Sequence, residues 1–429
     1  MLTRERYCAV QRGMVYFAGH TDRNPGNGLF LCTPCAATQG IQRASLKAPT
    51  VKKAEAGLKT TNRGLEGLRG AAALLVVFFH IGRLSPFSAI TRSGYLAVDL
   101  FFVLSGFVIC SAYADRLKTG HDVWRFVVRR SGRLWPLHFV SAILACAFLG
   151  MIFALCGRPP HMPTGGESMA IVTMTQGLAF PNHDIGNLVA WSTGDEFYVY
   201  LLFAVICLGM RRWRRITFAI AAATGFAIVL YVDAGTCVSI QHCMDLHSSF
   251  GWARCIAGFF VGALLARSRT HLRWFDTPAV QIALAIGSLV FLASTSEFPL
   301  AAFAAPLVFA ALIASLISDR GPLATILQTR PMQYLGRISY ALYLGHGVIV
   351  LPFTPWLNQS KYAGGFQLIA IAVLLSASFA LAHLLHRYIE VPCRDRIYAW
   401  SDAGIDRATA TLSRDGAEDR CRHSDKSTG

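Results

Sequence analysis

The stretch Gly67-Leu68-Arg69-Gly70-Ala71-Ala72-Ala73-Leu74-Leu75-Val76-Val77-Phe78-Phe79-His80-Ile81 is an apolar run with a guanidinium near one end and an imidazole near the other. Arg69 and His80 are eleven positions apart. That is about three helical turns and roughly 16.5 Å of rise, and it returns to nearly the same helix face. A charged side chain at mid-bilayer costs roughly 2.5–3.5 kcal/mol on insertion scales. A membrane helix that keeps both groups therefore predicts chemistry at those positions rather than packing.

The rest of the chain fits a membrane setting. It has 429 residues, of which 54% are hydrophobic and only 15% charged, against about 25% charged in soluble domains. The net charge of +16 would suggest nucleic acid in a soluble protein. Here the basic residues lie in short loops between apolar runs, so no nucleic acid is expected and the charge is a topology signal. Ten spans of near-crossing length follow: 67–84, 94–113, 136–156, 189–209, 216–233, 250–266, 278–295, 300–318, 338–354 and 366–386. The alternating loops 114–135, 210–215, 267–277 and 319–337 hold 16 Lys and Arg, whereas the opposite loops hold three, Arg92, Arg158 and Lys361. The prediction is an all-α integral membrane protein, a bundle of about ten transmembrane helices with both termini cytoplasmic. A bacterial inner membrane is the expected location.

Residues 1–62 are polar and mixed, without a signal-peptide pattern, and are expected to form a disordered cytoplasmic extension. The segment 47–63, with Lys47, Lys52, Lys53, Lys59 and Arg63, reads as a basic juxtamembrane linker that suits anionic lipid. Cys32-Thr-Pro-Cys35 lacks the second pair a metal site needs, and no metal is expected. Residues 63–398 form the transmembrane domain, and the charged segment 399–429 is expected to be a disordered tail. In the outward loop 157–188, the apolar patch Met169–Phe180 is too short to cross and reads as re-entrant or interfacial. As the longest outward segment, that loop is also the expected seat of acceptor choice. Cys237 and Cys243 share another outward loop, where an oxidising compartment would allow a disulfide.

Topology sorts the embedded polar groups by depth. Arg69, Arg130, Arg133, Arg337 and Glu390 fall toward the cytoplasmic side, and His80, Asp99 and Glu196 share the outer part. A histidine beside a carboxylate can take a proton from a hydroxyl, and clustered arginines suit a phosphorylated ligand. The competing readings make Asp99 a structural ion pair between helices, Arg130 and Arg133 mere topology residues, and His346, Tyr340 and Tyr343 packing. A proton-coupled secondary transporter or a glycolipid flippase would also use intramembrane His, Asp and Glu, although paired Gly/Pro-broken helices are not evident.

Six motifs in order resemble the acyltransferase-3 family of integral membrane O-acyltransferases. They are Gly67-Leu68-Arg69-Gly70 running to His80; Val98-Asp99-Leu100-Phe101-Phe102-Val103-Leu104-Ser105-Gly106-Phe107; Arg130-Ser131-Gly132-Arg133; Trp191-Ser192-Thr193-Gly194-Asp195-Glu196-Phe197-Tyr198; Ile338 to His346; and Tyr388-Ile389-Glu390-Val391-Pro392. The resemblance covers about residues 64–396. It implies transfer of an acyl group, usually acetyl, from acetyl-CoA or another short acyl-CoA in the cytosol to a carbohydrate or glycolipid hydroxyl. Family acceptors include lipopolysaccharide O-antigens, exopolysaccharides, lipo-oligosaccharide signals, periplasmic glucans and some macrolides. By the family pattern Arg69 and His80 are the essential pair, and Arg130 and Arg133 would bind the coenzyme. Glu196 or Asp99 would orient His80. Thr193-Gly194-Asp195 departs from the usual residues before Glu196, so Asp195 would assist or compete with it. Some members carry a further periplasmic domain after the last span; none is expected here, and a partner for onward transfer would be a separate chain. Oligomeric state is not indicated.

Overall fold

The computed structural model describes residues 62–82, 88–157, 163–178, 186–247, 249–268, 275, 277–354 and 365–403. The expectations for residues 1–61 and 404–429 therefore lie outside the described residues. The described part is helical, with no strand among those residues. Each of the ten predicted spans is a helix: α1 Arg63–Ile81, α2 Ala97–Tyr113, α3 Gly120–Leu155, α4 Trp191–Gly209, α5 Arg214–Asp233, α6 Gly251–Ser268, α7 Pro278–Ser294, α8 Ala305–Ser315, α9 Arg330–Ile349 and α10 Gly365–Leu385. Among the described residues six helices are long and apolar enough to cross a membrane, those within Arg63–Ile81, Gly94–Tyr113, Gly120–Leu155, Leu188–Gly209, Arg214–Asp233 and Gln367–Ala403. Large apolar side chains also face outward along helical stripes, such as Ile282, Ile286 and Val290 on α7, and Leu368, Ile369 and Val373 on α10. In water such stripes would be a liability; against lipid tails they are the expected surface of a multi-pass membrane protein.

The start of α1 is fixed by a distant loop. The Asn62 side chain accepts from the Leu65 amide at 2.8 Å and donates to the Leu316 carbonyl at 2.7 Å. The Asp319 carboxylate accepts from the Gly64 and Arg63 amides at 2.6 and 3.1 Å. These contacts occupy the free amides of the first turn and place a negative charge at the positive end of the helix dipole. Asn62, expected in the extension, is thus the N-cap of α1.

Two close helix pairs set the interior. α1 and α9 approach at glycines: a Cβ on Gly70 would lie 2.6 Å from the Gly336 nitrogen. α2 and α6 do the same, since a Cβ on Gly262 would lie 2.8 Å from the Val103 carbonyl carbon. Small residues at such crossings let backbones touch and dispersion replace the missing hydrophobic drive. Between α4, α5 and α6 the rings of Phe203, Phe218, Phe259 and Phe260 pack within 5.3–5.7 Å.

Three segments differ from the sequence expectation. α3 starts at Gly120 under a Thr119–Asp122 capping box, so Arg125, Arg129, Arg130 and Arg133 stand on a helix rather than in a loop. Its 36 residues span about 54 Å, well beyond a ~30 Å hydrocarbon layer. Residues 399–403, expected in the tail, continue the last helix, and Asp402 bonds Arg125 and Arg129 at 2.5 and 2.6 Å. After α10, His386–Glu390 is a π-turn. Pro392 has no N–H to return to the Tyr388 carbonyl, and a widened turn just before it relieves the mismatch. The apolar patch in the loop 157–188 includes the nine-residue helix Gly165–Thr173, with Met169 and Val172 exposed.

Candidate active site

His80 meets His346. Gly70 and Gly336 touch where α1 crosses α9, and ten positions on from each lies a histidine. Two helices side by side and parallel at 1.5 Å per residue bring those positions level about 15 Å further along. His346 Nε2 lies 3.2 Å from His80 Nδ1. His346 Nδ1 is 3.1 Å from the Leu342 carbonyl and His80 Nδ1 is 3.0 Å from the Val76 carbonyl. Carbonyls only accept, so both Nδ1 atoms carry protons in the neutral rings. His346 Nε2 is then an acceptor for His80 Nδ1–H, and His80 Nε2 is left with a lone pair. Among the described residues no hydrogen bond engages His80 Nε2. His346 is fully buried and His80 partly exposed, so of the two rings only His80 is open. The Thr354 hydroxyl donates to the His80 carbonyl at 2.9 Å and fixes this end of α1.

The carboxylates expected to orient His80 have other partners. Asp99 is fully buried, and Arg254 spans both its oxygens, Nε to Oδ1 at 2.9 Å and Nη2 to Oδ2 at 2.6 Å. Arg254 Nη2 also donates to the Tyr95 carbonyl at 3.0 Å. This bidentate pair ties α2 to α6 and commits both Asp99 oxygens to a guanidinium. Glu196 accepts from the Tyr200 hydroxyl one turn along α4, and Tyr200 is 2.8 Å from the Ser105 hydroxyl. Its charge faces Arg69 and Arg133. Glu196 thus lies with the arginines, and among the described residues no hydrogen bond joins it to His80. Asp195 is fully buried against Gly177 and Gly251, with neither oxygen hydrogen-bonded.

The three arginines expected at a coenzyme do converge, around Tyr200. Arg130 stacks on Tyr113 at 5.3 Å and faces the Tyr200 ring at 6.0 Å, with Nη2 3.3 Å from the Tyr113 hydroxyl. Arg69 and Arg133 both face Tyr200 and Glu196. Arg69 is 3.5 Å from Glu66. Glu390, turned inward by the π-turn and bonded to His386 at 2.9 Å, faces Arg133. By contrast Arg129 is occupied by Asp402 and Tyr398. Among the described residues no group of three or more His, Cys, Asp or Glu could hold a metal ion.

Three contributors escaped the sequence reading, and a fourth, His346, expected there as packing, meets His80. Arg254 stood in an apolar span, where a lone guanidinium demands a carboxylate at its own depth. His346 repeats the glycine-to-histidine offset of α1. Tyr200 sits one turn after Glu196. Asp402 lay in the segment expected to be disordered. The structure also bonds Cys237 to Cys243.

The site thus sets an arginine cluster around Tyr200 and a histidine pair where α1 and α9 run side by side. The acyltransferase domain model matches residues 62–387, and the chain belongs to this acyltransferase-3 family. It is 22% identical over 362 residues to peptidoglycan O-acetyltransferase OatA of Listeria monocytogenes, covering 77% of this chain and 55% of that protein. It is 26% identical over 365 residues to acyltransferase MdmB of Streptomyces mycarofaciens, covering 77% of this chain and 90% of that protein. To protein 2 in the picA locus of Rhizobium radiobacter it is 40% identical over 184 residues, 40% of this chain and 93% of that one. The chain thus spans little more than half the length of the Listeria relative. No solved structure matches.

Proposed function

We propose that this chain moves a short acyl group, acetyl in the first instance, from cytosolic acyl-coenzyme A to a hydroxyl of a cell-envelope or secreted carbohydrate. In this reading residues 63–398 form a ten-helix domain in a bacterial inner membrane, with both ends of that domain cytoplasmic. The observation that carries it is the tautomer of His80: Nδ1–H is committed to Val76 and His346, and Nε2 is open on a partly exposed ring. The names of relatives, a peptidoglycan O-acetyltransferase among them, support a carbohydrate acceptor.

Arg69, Arg130 and Arg133 take the coenzyme phosphates, with Glu196 and Tyr200 holding them apart while the site is empty. The thioester arm extends along α1 toward His80. The acceptor oxygen forms a bond to the thioester carbonyl carbon as its proton passes to His80 Nε2. The carbon–sulfur bond then breaks, and His80 returns the proton to the departing sulfur, leaving an ester and free coenzyme. General-base help of this kind contributes ~10²–10⁴-fold. The imidazolium formed in between is relieved by its Nδ1–H bonds to Val76 and His346.

The test uses membranes bearing wild type or His80→Ala, supplied with radiolabelled acetyl-coenzyme A. Label entering a glycan fraction with wild type alone supports the reading. Near-wild-type transfer by a folded His80→Ala protein overturns the base assignment. Failure of purified wild type to bind any acyl-coenzyme A overturns the acyltransferase reading and favours transport.

A further inference from the structure

The loop between α5 and α6 is built as a rigid cap. The Cys237–Cys243 disulfide closes it at its base. The Tyr95 hydroxyl donates to the Cys243 carbonyl at 2.8 Å, and the Met244 amide donates to Asp233 Oδ2 at 2.5 Å. Gln241 and Met244 hold left-handed backbone, with φ of 58° and 72°, a strain that persists only where the surroundings enforce it. Within the staple, the His242 ring stacks on Tyr95 at 5.2 Å and lies 6.3 Å from Phe79, whose own ring is 4.9 Å from that of His80. A histidine of the cap thus packs one ring away from the proposed base.

The cap carries one carboxylate between two imidazoles. Asp245 is 3.2 Å from His247 Nδ1 and 3.7 Å from His242 Nδ1. Its side chain is 24% exposed and the two histidines 42% and 50%, so the group borders solvent. The charged and titratable groups that face it are those two histidines, His80, Arg254, Tyr95, Asp99 and Asp233. Burial alone would raise the Asp245 pKa. The hydrogen bond with His247 and the neighbouring His242 ring outweigh it and hold the carboxyl well below the usual carboxylate range. Asp245 thus reaches the neighbourhood of His80 through His242 and Phe79, without contact with it.

We propose that Asp245 is a positioning residue for acyl transfer: pinned by the disulfide-stapled loop, its carboxylate stabilises the imidazolium that forms on His80 when the acceptor hydroxyl gives up its proton. This rests on the acyl-transfer reading above. The proton, bond-making and bond-breaking steps are those given there; Asp245 takes no proton and supplies only charge. His242 and His247 hold the carboxylate in place, and the disulfide holds the histidine-bearing segment.

The test is steady-state transfer from acetyl-coenzyme A by purified protein in detergent, comparing wild type, Asp245→Asn, Asp245→Glu, Cys237→Ser/Cys243→Ser, and the staple-free protein also carrying Asp245→Asn. Asp245→Asn should lower kcat about tenfold, the influence of one charge within ~10 Å at an effective dielectric near 20, with the donor KM unchanged. Asp245→Glu should recover most of it, which a lost packing contact would not allow. Removing the staple should also lower kcat, and adding Asp245→Asn should then cost little more, as expected of two changes acting through one element. Wild-type kcat in Asp245→Asn overturns this proposal and leaves acyl transfer standing. Equal losses in the Asn and Glu variants, accompanied by a lowered Tm, also overturn it. Absence of transfer by wild type from every acyl-coenzyme A tried overturns both readings.

Discussion

Replacing His346 by leucine tests the histidine pair directly. Leucine fills similar volume in a fully buried position and cannot accept a hydrogen bond, so the change deletes one acceptor with little cavity. In the wild type His80 Nδ1–H is shared between the Val76 carbonyl at 3.0 Å and His346 Nε2 at 3.2 Å. A hydrogen bond to a charged group is worth ~1.5–3 kcal/mol. One of two shared acceptors is worth the lower figure, about 1.5 kcal/mol once the ring is protonated. Since ~1.4 kcal/mol is tenfold in rate, His346→Leu should slow the chemical step about tenfold. Donor KM should not move, because Arg69 lies eleven residues away along the same helix. The assay is single-turnover transfer of label from acetyl-coenzyme A, with Tm as the control for folding. A rate within twofold of wild type, or a defect confined to donor KM, would refute the assignment of His346 as the acceptor behind His80.

Three further outcomes follow from other contacts. Gly336→Ala places a Cβ 2.8 Å from the Glu66 carbonyl carbon, so α1 and α9 must part by several tenths of an ångström; the 3.2 Å histidine contact then lengthens and transfer falls ~10²-fold, whereas an unchanged rate would show that the crossing does not set the pair. Asp99→Asn leaves the buried Arg254 charge without its partner and should cost ~3–5 kcal/mol of stability, read as lost folded protein; partial recovery in the Asp99→Asn/Arg254→Gln double variant separates a structural pair from a catalytic one. Glu196→Gln removes the negative charge facing Arg69 and Arg133 and should lower donor KM a few-fold with kcat little changed, whereas a kcat collapse would return Glu196 to His80.

The order of the helices was legible because each holds an apolar run, but their extents were not, since α3 begins at Gly120 and α8 spans only Ala305–Ser315. Nor was their rotation about their own axes. Hydropathy places Asp99, Glu196 and His80 at a common depth but says nothing of azimuth, and azimuth decides partners: Asp99 turns to α6 and Glu196 to the arginines. Depth alone did carry a usable signal for Arg254, since an embedded guanidinium must be neutralised at its own level and Asp99 stands at that level. The histidine pair needed two facts combined, the ten-residue offset from Gly70 to His80 and the same offset from Gly336 to His346. The basic turns of α3 were taken for loop because charge masks a helix from a hydropathy reading, although the Thr119–Asp122 capping box marked its start.

Arg69 and His80 share one rigid helix, so the distance from phosphate to thioester is set by α1 and cannot adjust to a shorter donor. Binding energy from the non-reacting end of a substrate orients the reacting end, and truncation costs kcat as well as KM. S-acetyl-N-acetylcysteamine carries the thioester without phosphates. It should be used poorly by the wild type, and Arg69→Ala should make it no worse. With acetyl-coenzyme A the same substitution removes a charge-assisted bond worth ~1.5–3 kcal/mol and should lower kcat/KM roughly ten- to a hundredfold. The comparison isolates the phosphate contact from every other consequence of losing Arg69, including its 3.5 Å approach to Glu66, because those consequences are present with both donors. If Arg69→Ala is equally damaging with the truncated donor, Arg69 does not bind phosphate, and the lower level of the site must hold something other than a coenzyme.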